Sequence, residues 1–431
     1  MRLVAYASAN AGKSGVASFL EIYGLFYISQ VLGIPTPVAG ILLTTSVLWD
    51  AITDPIVGWM LDRVGLSTKN ITWCFVLGGA VVGACLLMLL AMTLLPSPAG
   101  TFCILLLLLT FRTAYTVIDV PHNTLIGFVA ASPKARTRVA GLRILFSGLG
   151  RLATTVAAAQ LISPGAEDMK PDELLNLGGV LTGLLIITLY AAVGSLSAIS
   201  PVAPIRQRSS IVETLKFCTA NAPLRRLFLL SILNSVAFPV LAIVLVYADT
   251  VEITHQGNPI PSFVTVLVMA QLLSLALWDA LARHLLGRWT TLRVAYAMLA
   301  LAAFALTYSN AAGLLLLVIT MIAGGAQSGV SMMNWALLPD ALEANKSGDV
   351  PIFGVFGLLT LANKIASSLA PTIVGLLLMW VELGGEPSNA DSSITEFLRL
   401  TGALLTGISV ACLWVSRRSN FSATPPRTSF R

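Results

Sequence analysis

Stretches of about twenty mainly apolar residues recur from one end of this chain to the other, and each is long enough to cross a bilayer as a helix. In the hydrocarbon core a spanning segment must satisfy its own backbone, so continuous runs of this length are read as helices. Twelve are read, near residues 8–32, 38–61, 71–95, 101–128, 139–162, 177–199, 226–248, 261–283, 291–309, 312–337, 352–381 and 396–415. The first is the least apolar. The breaks carry turn residues: "GIPTP" at 33–37, "LPSPAG" at 95–100, "SPGAEDMKPDE" at 163–173 and "HQGNPIPS" at 255–262. Only 11% of the residues are charged, against about 25% in a soluble domain. The expectation is an all-α membrane protein. The N-terminus lacks a short apolar core ending in a small-residue cleavage site, so no cleaved signal is expected.

Basic residues set the orientation, because Lys and Arg collect in cytoplasmic loops. One set of connections holds Arg63, Lys69, Lys134, Arg136, Arg138, Arg206, Arg208, Lys216, Arg225, Arg226, Arg283, Arg288, Arg293 and Lys346, whereas the alternate set holds Lys170 alone. Both termini are therefore expected in the cytoplasm. The net charge of +6 is a topology signal and needs no nucleic-acid partner. The longest cytoplasmic connection, 200–225, divides the chain into an N-terminal six-helix bundle (1–199) and a C-terminal one (226–431). "LWDA" at 48–51 recurs at 277–280, at corresponding spans of the two halves. Such parallel repeats are the arrangement of major facilitator transporters.

Ionisable groups inside spans are costly, and they mark pathways or binding sites. The acids are Glu21, Asp50, Asp54 and Asp119, and the bases are Lys13, Arg112, Arg143, Arg151 and Lys364. Asp50 and Asp54 lie one helical turn apart on one face of span 2. Two close carboxylates do not both ionise cheaply, so a proton or a monovalent cation can discharge them. Thr53 adds an oxygen of the kind hard cations prefer. Pro55 can free the carbonyl of Ala51. In span 4, Arg112, Thr116, Asp119 and Asn123 form one polar stripe, with Tyr115 and His122 beside it. Asn10, Ser14 and Glu21 share a face in span 1, as do Gln327, Ser331 and Asn334 in span 10. Lys364 needs a counter-ion, and Asp50 or Asp54 fits.

Other chemistry is poorly represented. "ASANAGKS" at 7–14 nearly matches a phosphate-binding loop, but it opens a span instead of following a strand. Five scattered cysteines form no CxxC pair, three histidines lack metal-ligand spacing, and no nucleophile–base constellation is present. Neither an enzyme nor a bound cofactor is expected.

"LWDAITDPIVGWMLDR" resembles the span-2 signature of the glycoside–pentoside–hexuronide:cation symporters, the melibiose permease-like branch of the major facilitator superfamily. "YTVIDVPHNTLIGFV" with "RTRVAGLRILFSGLG", "LPDALEANKSGD" and "NKIASSLAPTIVGLLL" resemble its span-4/5, span-10/11 and span-11 segments. The resemblance implies a major facilitator fold of twelve transmembrane helices in two six-helix bundles, and cation-coupled symport of a sugar or glycoside. It implies a sodium or proton site at Asp50, Thr53, Asp54 and Thr116, with Asp50 and Asp54 as the metal ligands where the ion is sodium. It implies a coupling role for Lys364 and solute contacts at Lys13, Tyr115, Asp119, Asn123 and Arg143. Two positions depart from the galactoside pattern. A span-1 acid is replaced by Ser14, with Glu21 two turns further on, and an aromatic platform is replaced by Asn123. The family also includes lysolipid–sodium symporters, so an amphiphile or organic anion is the alternative cargo, and a non-transporting sensor is the alternative outside transport. The expected partners are a small solute, a monovalent cation and the lipid bilayer, in a monomer of the bacterial inner membrane.

Overall fold

The computed structural model describes residues 2–64, 67–94, 100–125, 133–162, 171–195, 211–256, 262–308, 313–343, 352–384 and 390–417, and no strand occurs among them. The first helical run, α1, begins at Arg2–Ser18 and continues through π turns at Phe19–Tyr23 and Tyr27–Val31. It is followed by α2 (Thr36–Val64), α3 (Thr68–Ala91), α4 (Thr101–Thr124), α5 (Pro133–Ile162) and α6 (Pro171–Ser195). A short connecting helix, α7 (Ile211–Ala220), leads to α8 (Ala222–Gln256), α9 (Phe263–Ala280), α10 (Arg288–Tyr308), α11 (Gly313–Glu343), α12 (Ile352–Gly384) and α13 (Ala390–Arg417). Local chemistry sets several of the ends. Gly33 turns the chain out of α1 at φ 70°, and Ser67 caps α3 by accepting from the Asn70 amide at 3.1 Å. Segment 7–14, the near-match to a phosphate loop, is continuous helix inside α1.

Eleven of the twelve expected spans, α2–α6 and α8–α13, are long and apolar enough to cross a membrane, and α1 falls short. The reason is its place in the fold. Almost every residue from Tyr6 to Ser29 is buried against protein, so α1 carries small and polar residues where a lipid-facing helix would carry large apolar ones. Its counterpart α8 is covered continuously from Val240 to Ala248.

The packing repeats along the chain. α1 packs on α5 and α6, α2 on α4, and α3 on α4 and α6. Seven helices further on, α8 packs on α12 and α13, α9 on α11, and α10 on α11 and α13. The "LWDA" repeat shares in this. Trp49 of α2 donates to Thr113 Oγ1 of α4 at 2.8 Å, and Trp278 of α9 donates to the Gly325 carbonyl of α11 at 2.7 Å. The two sets of helices meet at α2–α12, α5–α9 and α1–α8, pairs that exchange under the same repeat.

At α2–α12 and α1–α8, close contacts gather at the end of the bundle away from the chain termini. A Cβ on Gly40 would lie 2.7 Å from the Pro371 carbonyl oxygen, and one on Gly375 would lie 2.9 Å from that of Thr36. Thr44 donates to the Ser368 carbonyl at 2.6 Å. Ser29 and the Tyr247 hydroxyl meet at 3.0 Å, with Phe26 edge-on to Tyr247. Deeper in the bundle, Glu21 and Arg151 keep side-chain exposures of 47% and 34%, so ionic groups at mid-depth face a cavity. With the far end closed, that cavity is reached from the side bearing the termini.

The α1–α5 contact depends on a missing side chain, because a Cβ on Gly150 would stand 2.0 Å from the Ala11 carbonyl oxygen. Gly150→Ala is expected to destabilise the protein by about 1–3 kcal/mol through forced separation of the helices. Thermal melting in detergent checks this, with Gly179→Ala as the control, since nothing lies within 4 Å of that position.

Candidate functional site

Helix α2 stays helical through position 55, so Asp50 and Asp54 keep their one-turn spacing. They meet α4 on one side and α12 on the other. Thr116 Oγ1 of α4 lies 2.7 Å from Asp50 Oδ1 and 3.1 Å from Asp54 Oδ1, and its single proton serves the nearer carboxylate. Thr53 Oγ1 is 3.3 Å from Thr116 Oγ1 and 3.2 Å from the Asp50 carbonyl. From α12, Lys364 Nζ pairs with Asp54 and stands 3.2 Å from Asp50 Oδ2. The lysine therefore contacts both expected counter-ions. Asp50 is almost enclosed, whereas the Asp54 and Lys364 side chains keep 23% and 24% exposure. Two carboxylates, two hydroxyls and one ammonium converge here, a set of hard oxygen donors with a protein cation among them.

One and two turns along α4 a second cluster forms. Lys13, 2% exposed, bonds Asp119 Oδ1 at 2.6 Å. Asn123 Nδ2 donates to Asp119 Oδ2 at 2.7 Å, and Arg143 of α5 donates to Asn123 Oδ1. Lys13, Asp119, Asn123 and Arg143 thus form one chain from the interior to the cavity. Tyr115 stacks on Phe111 at 6.2 Å, within electrostatic reach of Asp119, Glu21, Asp50 and Arg112. It joins neither hydrogen-bonded cluster. Glu21 is not drawn into either cluster and sits 3.9 Å from Arg151. Ser14 meets Ser147 Oγ at 2.5 Å, a hydroxyl pair in place of a carboxylate.

Two residues that sequence reasoning left outside the site anchor the second cluster. His122 Nδ1 lies 2.9 Å from Lys13 Nζ, and its Nε2 lies 3.0 Å from the Tyr6 carbonyl. An ammonium only donates and a carbonyl only accepts, which assigns the tautomer protonated on Nε2. Tyr6 stacks on the imidazole at 4.5 Å and returns its hydroxyl to the His122 carbonyl. The proximity of His122 to Asp119 in sequence was a signal for its part; Tyr6 gave none.

Helices paired by an internal repeat around an ion-lined cavity define a multi-pass membrane transporter. The chain belongs to the MFS/sugar transport protein family, which it matches over residues 5–418. The uncharacterized symporter sll1374 of Synechocystis sp. is 29% identical over 196 residues, 43% of this chain and 35% of that protein. The inner membrane symporter YicJ of Escherichia coli is 22% identical over 422 residues, 96% of this chain and 89% of that protein. Among solved structures, the nucleoside transporter NupG superposes with a TM-score of 0.68 at 15% identity, covering 97% of this chain and 98% of its own, which fixes the shared fold.

Removing one partner of a largely buried ion pair leaves a charge without compensation. Lys364→Met is expected to cost about 3 kcal/mol. The triple change Lys364→Met, Asp50→Asn, Asp54→Asn should recover most of that loss. Thermal melting of the variants checks it, and a triple variant no more stable than the single one would show that the three charges are not coupled.

Proposed function

We propose that this chain is a secondary active symporter that couples a monovalent cation, sodium or a proton, to a sugar or glycoside-like solute by alternating access. The observation that carries the reading is the Asp50–Asp54–Thr116–Lys364 cluster. It offers six side-chain oxygens, counting Thr53, to a cation that must compete with Lys364. In this reading Asp50, Thr53, Asp54 and Thr116 hold the ion, and Lys364 reports its arrival to the other half. Lys13, Tyr115, Asp119, Asn123 and Arg143 receive the solute. The family's description as sugar transport proteins supports the solute class, and relatives described as symporters support coupling.

The working unit is a monomer of two halves, 1–199 and 226–431, joined by 200–225, in a bacterial inner membrane with both termini cytoplasmic. No cofactor takes part. Linkage makes the coupling reciprocal: an ion that tightens the solute must be tightened by it to the same degree.

Purified protein in liposomes tests the reading. Under an imposed cation gradient, Asp50→Asn is expected to lose uphill accumulation while retaining solute exchange. A variant that still concentrates solute as the parent does would end the coupling role of Asp50. A thermal-shift panel of glycosides, uronides and lysolipids, with and without sodium at two pH values, identifies the solute and ion as the pair that stabilises only together.

A further inference from the structure

The ionised groups of the cavity do not pair off evenly. Lys13 takes Asp119, Arg151 stands by Glu21, and Lys364 holds Asp50 and Asp54 together. One acid is thereby in excess at the aspartate pair, the place assigned above to a cation. Two bases are in excess elsewhere. Arg143 donates to an uncharged partner, Asn123. Arg112 is 4% exposed, its Nε has no hydrogen-bond partner, and no hydrogen bond or ion pair reaches its guanidinium among the described residues. A buried guanidinium without an anion is strongly disfavoured. Its presence points to a partner that arrives from outside the chain.

Its position indicates which partner. Arg112, Thr116, Asp119 and Asn123 fall within one narrow sector of α4. Thr116 and Asp119 use that sector to reach α2 and α1, so Arg112 lies on the inward face of α4. Four residues before Thr116, it sits about 6 Å further from the termini, toward the closed end of the cavity. From Arg112 to Asp119 is about 10 Å along the helix, the span of a glycoside with an acidic substituent.

We propose that Arg112 is an anion-binding residue at the closed end of the cavity, and that the solute carries a carboxylate or sulfonate that docks there. The hydroxyl-bearing part of the solute then lies between Asp119, Asn123 and Arg143. The proposal rests on the symport reading only in taking the cavity as the solute's route. With one cation at the aspartate pair and one acid on Arg112, each unmatched charge on these two sites gains its opposite.

The test is calorimetric titration of the full chain in nanodiscs at fixed sodium, with matched pairs of probes. These are p-nitrophenyl β-glucuronide against p-nitrophenyl β-glucoside, the corresponding 6-sulfonate, and lysophosphatidate against monoacylglycerol as the lipid arm. A sugar acid is expected to bind about tenfold or more tighter than its neutral partner. Arg112→Gln removes the preference by weakening the acid, and Arg112→Lys restores part of it, since a point charge lacks the guanidinium's two-pronged fit. A parent that binds acid and neutral partner alike, binds no sugar acid, or prefers only the lipid acid would overturn the proposal, as would an Arg112→Gln protein that keeps the preference.

Folding gives an independent check. Arg112→Met should raise the melting temperature of the ligand-free protein by removing an unpaired buried charge, and a fall would show Arg112 to be a structural bridge. Because the readout is binding at fixed sodium, normal uphill flux in Asp50→Asn would sink the coupling role alone. Loss of the acid preference would sink the Arg112 assignment alone.

Discussion

Lys364 bridges two aspartates of the opposite half, so these three groups balance one another only while α2 and α12 stay together. The lysine is on α12 and the carboxylates are on α2, the two helices that also make the close backbone contact at Gly40 and Gly375. The same helix pair therefore closes the far end of the cavity and neutralises the acids at its middle. In the proposed symport cycle, moving these helices apart to open the far end draws the ammonium away from both carboxylates and leaves their charge to the coupled cation. An ion and a gate need no long route between them when they share one helix–helix seam.

The second cluster is built on a different principle. Lys13 is sealed between Asp119 and His122, and His122 is held in turn by the backbone and ring of Tyr6. These groups belong to α1 and α4 of one half. They fix the α4 stripe relative to the central helix, so that Asp119 and Asn123 present a settled hydrogen-bonding edge to the cavity. Rigid positioning of polar groups lowers the ordering cost of binding, whereas the proposed cycle requires the bridge at Lys364 to break. In that cycle one half carries the preorganised edge, and the contact across the halves carries the switch.

Much of this was legible in the sequence because it obeys short periods. The spans follow from twenty-residue apolar runs. The shared face of Asp50 and Asp54 follows from their i, i+4 spacing, and the α4 stripe follows from the helical repeat. The need of Lys364 for a carboxylate follows from the cost of a lone charge. The contacts left unread join positions far apart through the backbone or through shape. Tyr6 meets His122 across 116 residues, partly through carbonyl oxygens that every residue possesses. The π turns of α1 carry no mark in composition, and the low apolarity of α1 makes sense only once its burial against protein is known.

Charge bookkeeping inside a membrane separates the cations a fold already satisfies from those it leaves open. Lys13 is as buried as Arg112, but it is saturated: its ammonium meets a carboxylate and an imidazole, and nothing further is required to hold it there. Arg112 has the same depth of burial without that return. A fold that satisfies one buried cation so completely has the means to satisfy another, and Asp50 and Asp54 lie only a turn or two away along the cavity. They are committed to Lys364 instead. The separation keeps a negative pole across the seam between the halves and a positive pole at its closed end. Under the proposed symport, a cavity polarised in that way favours a solute and an ion of opposite sign.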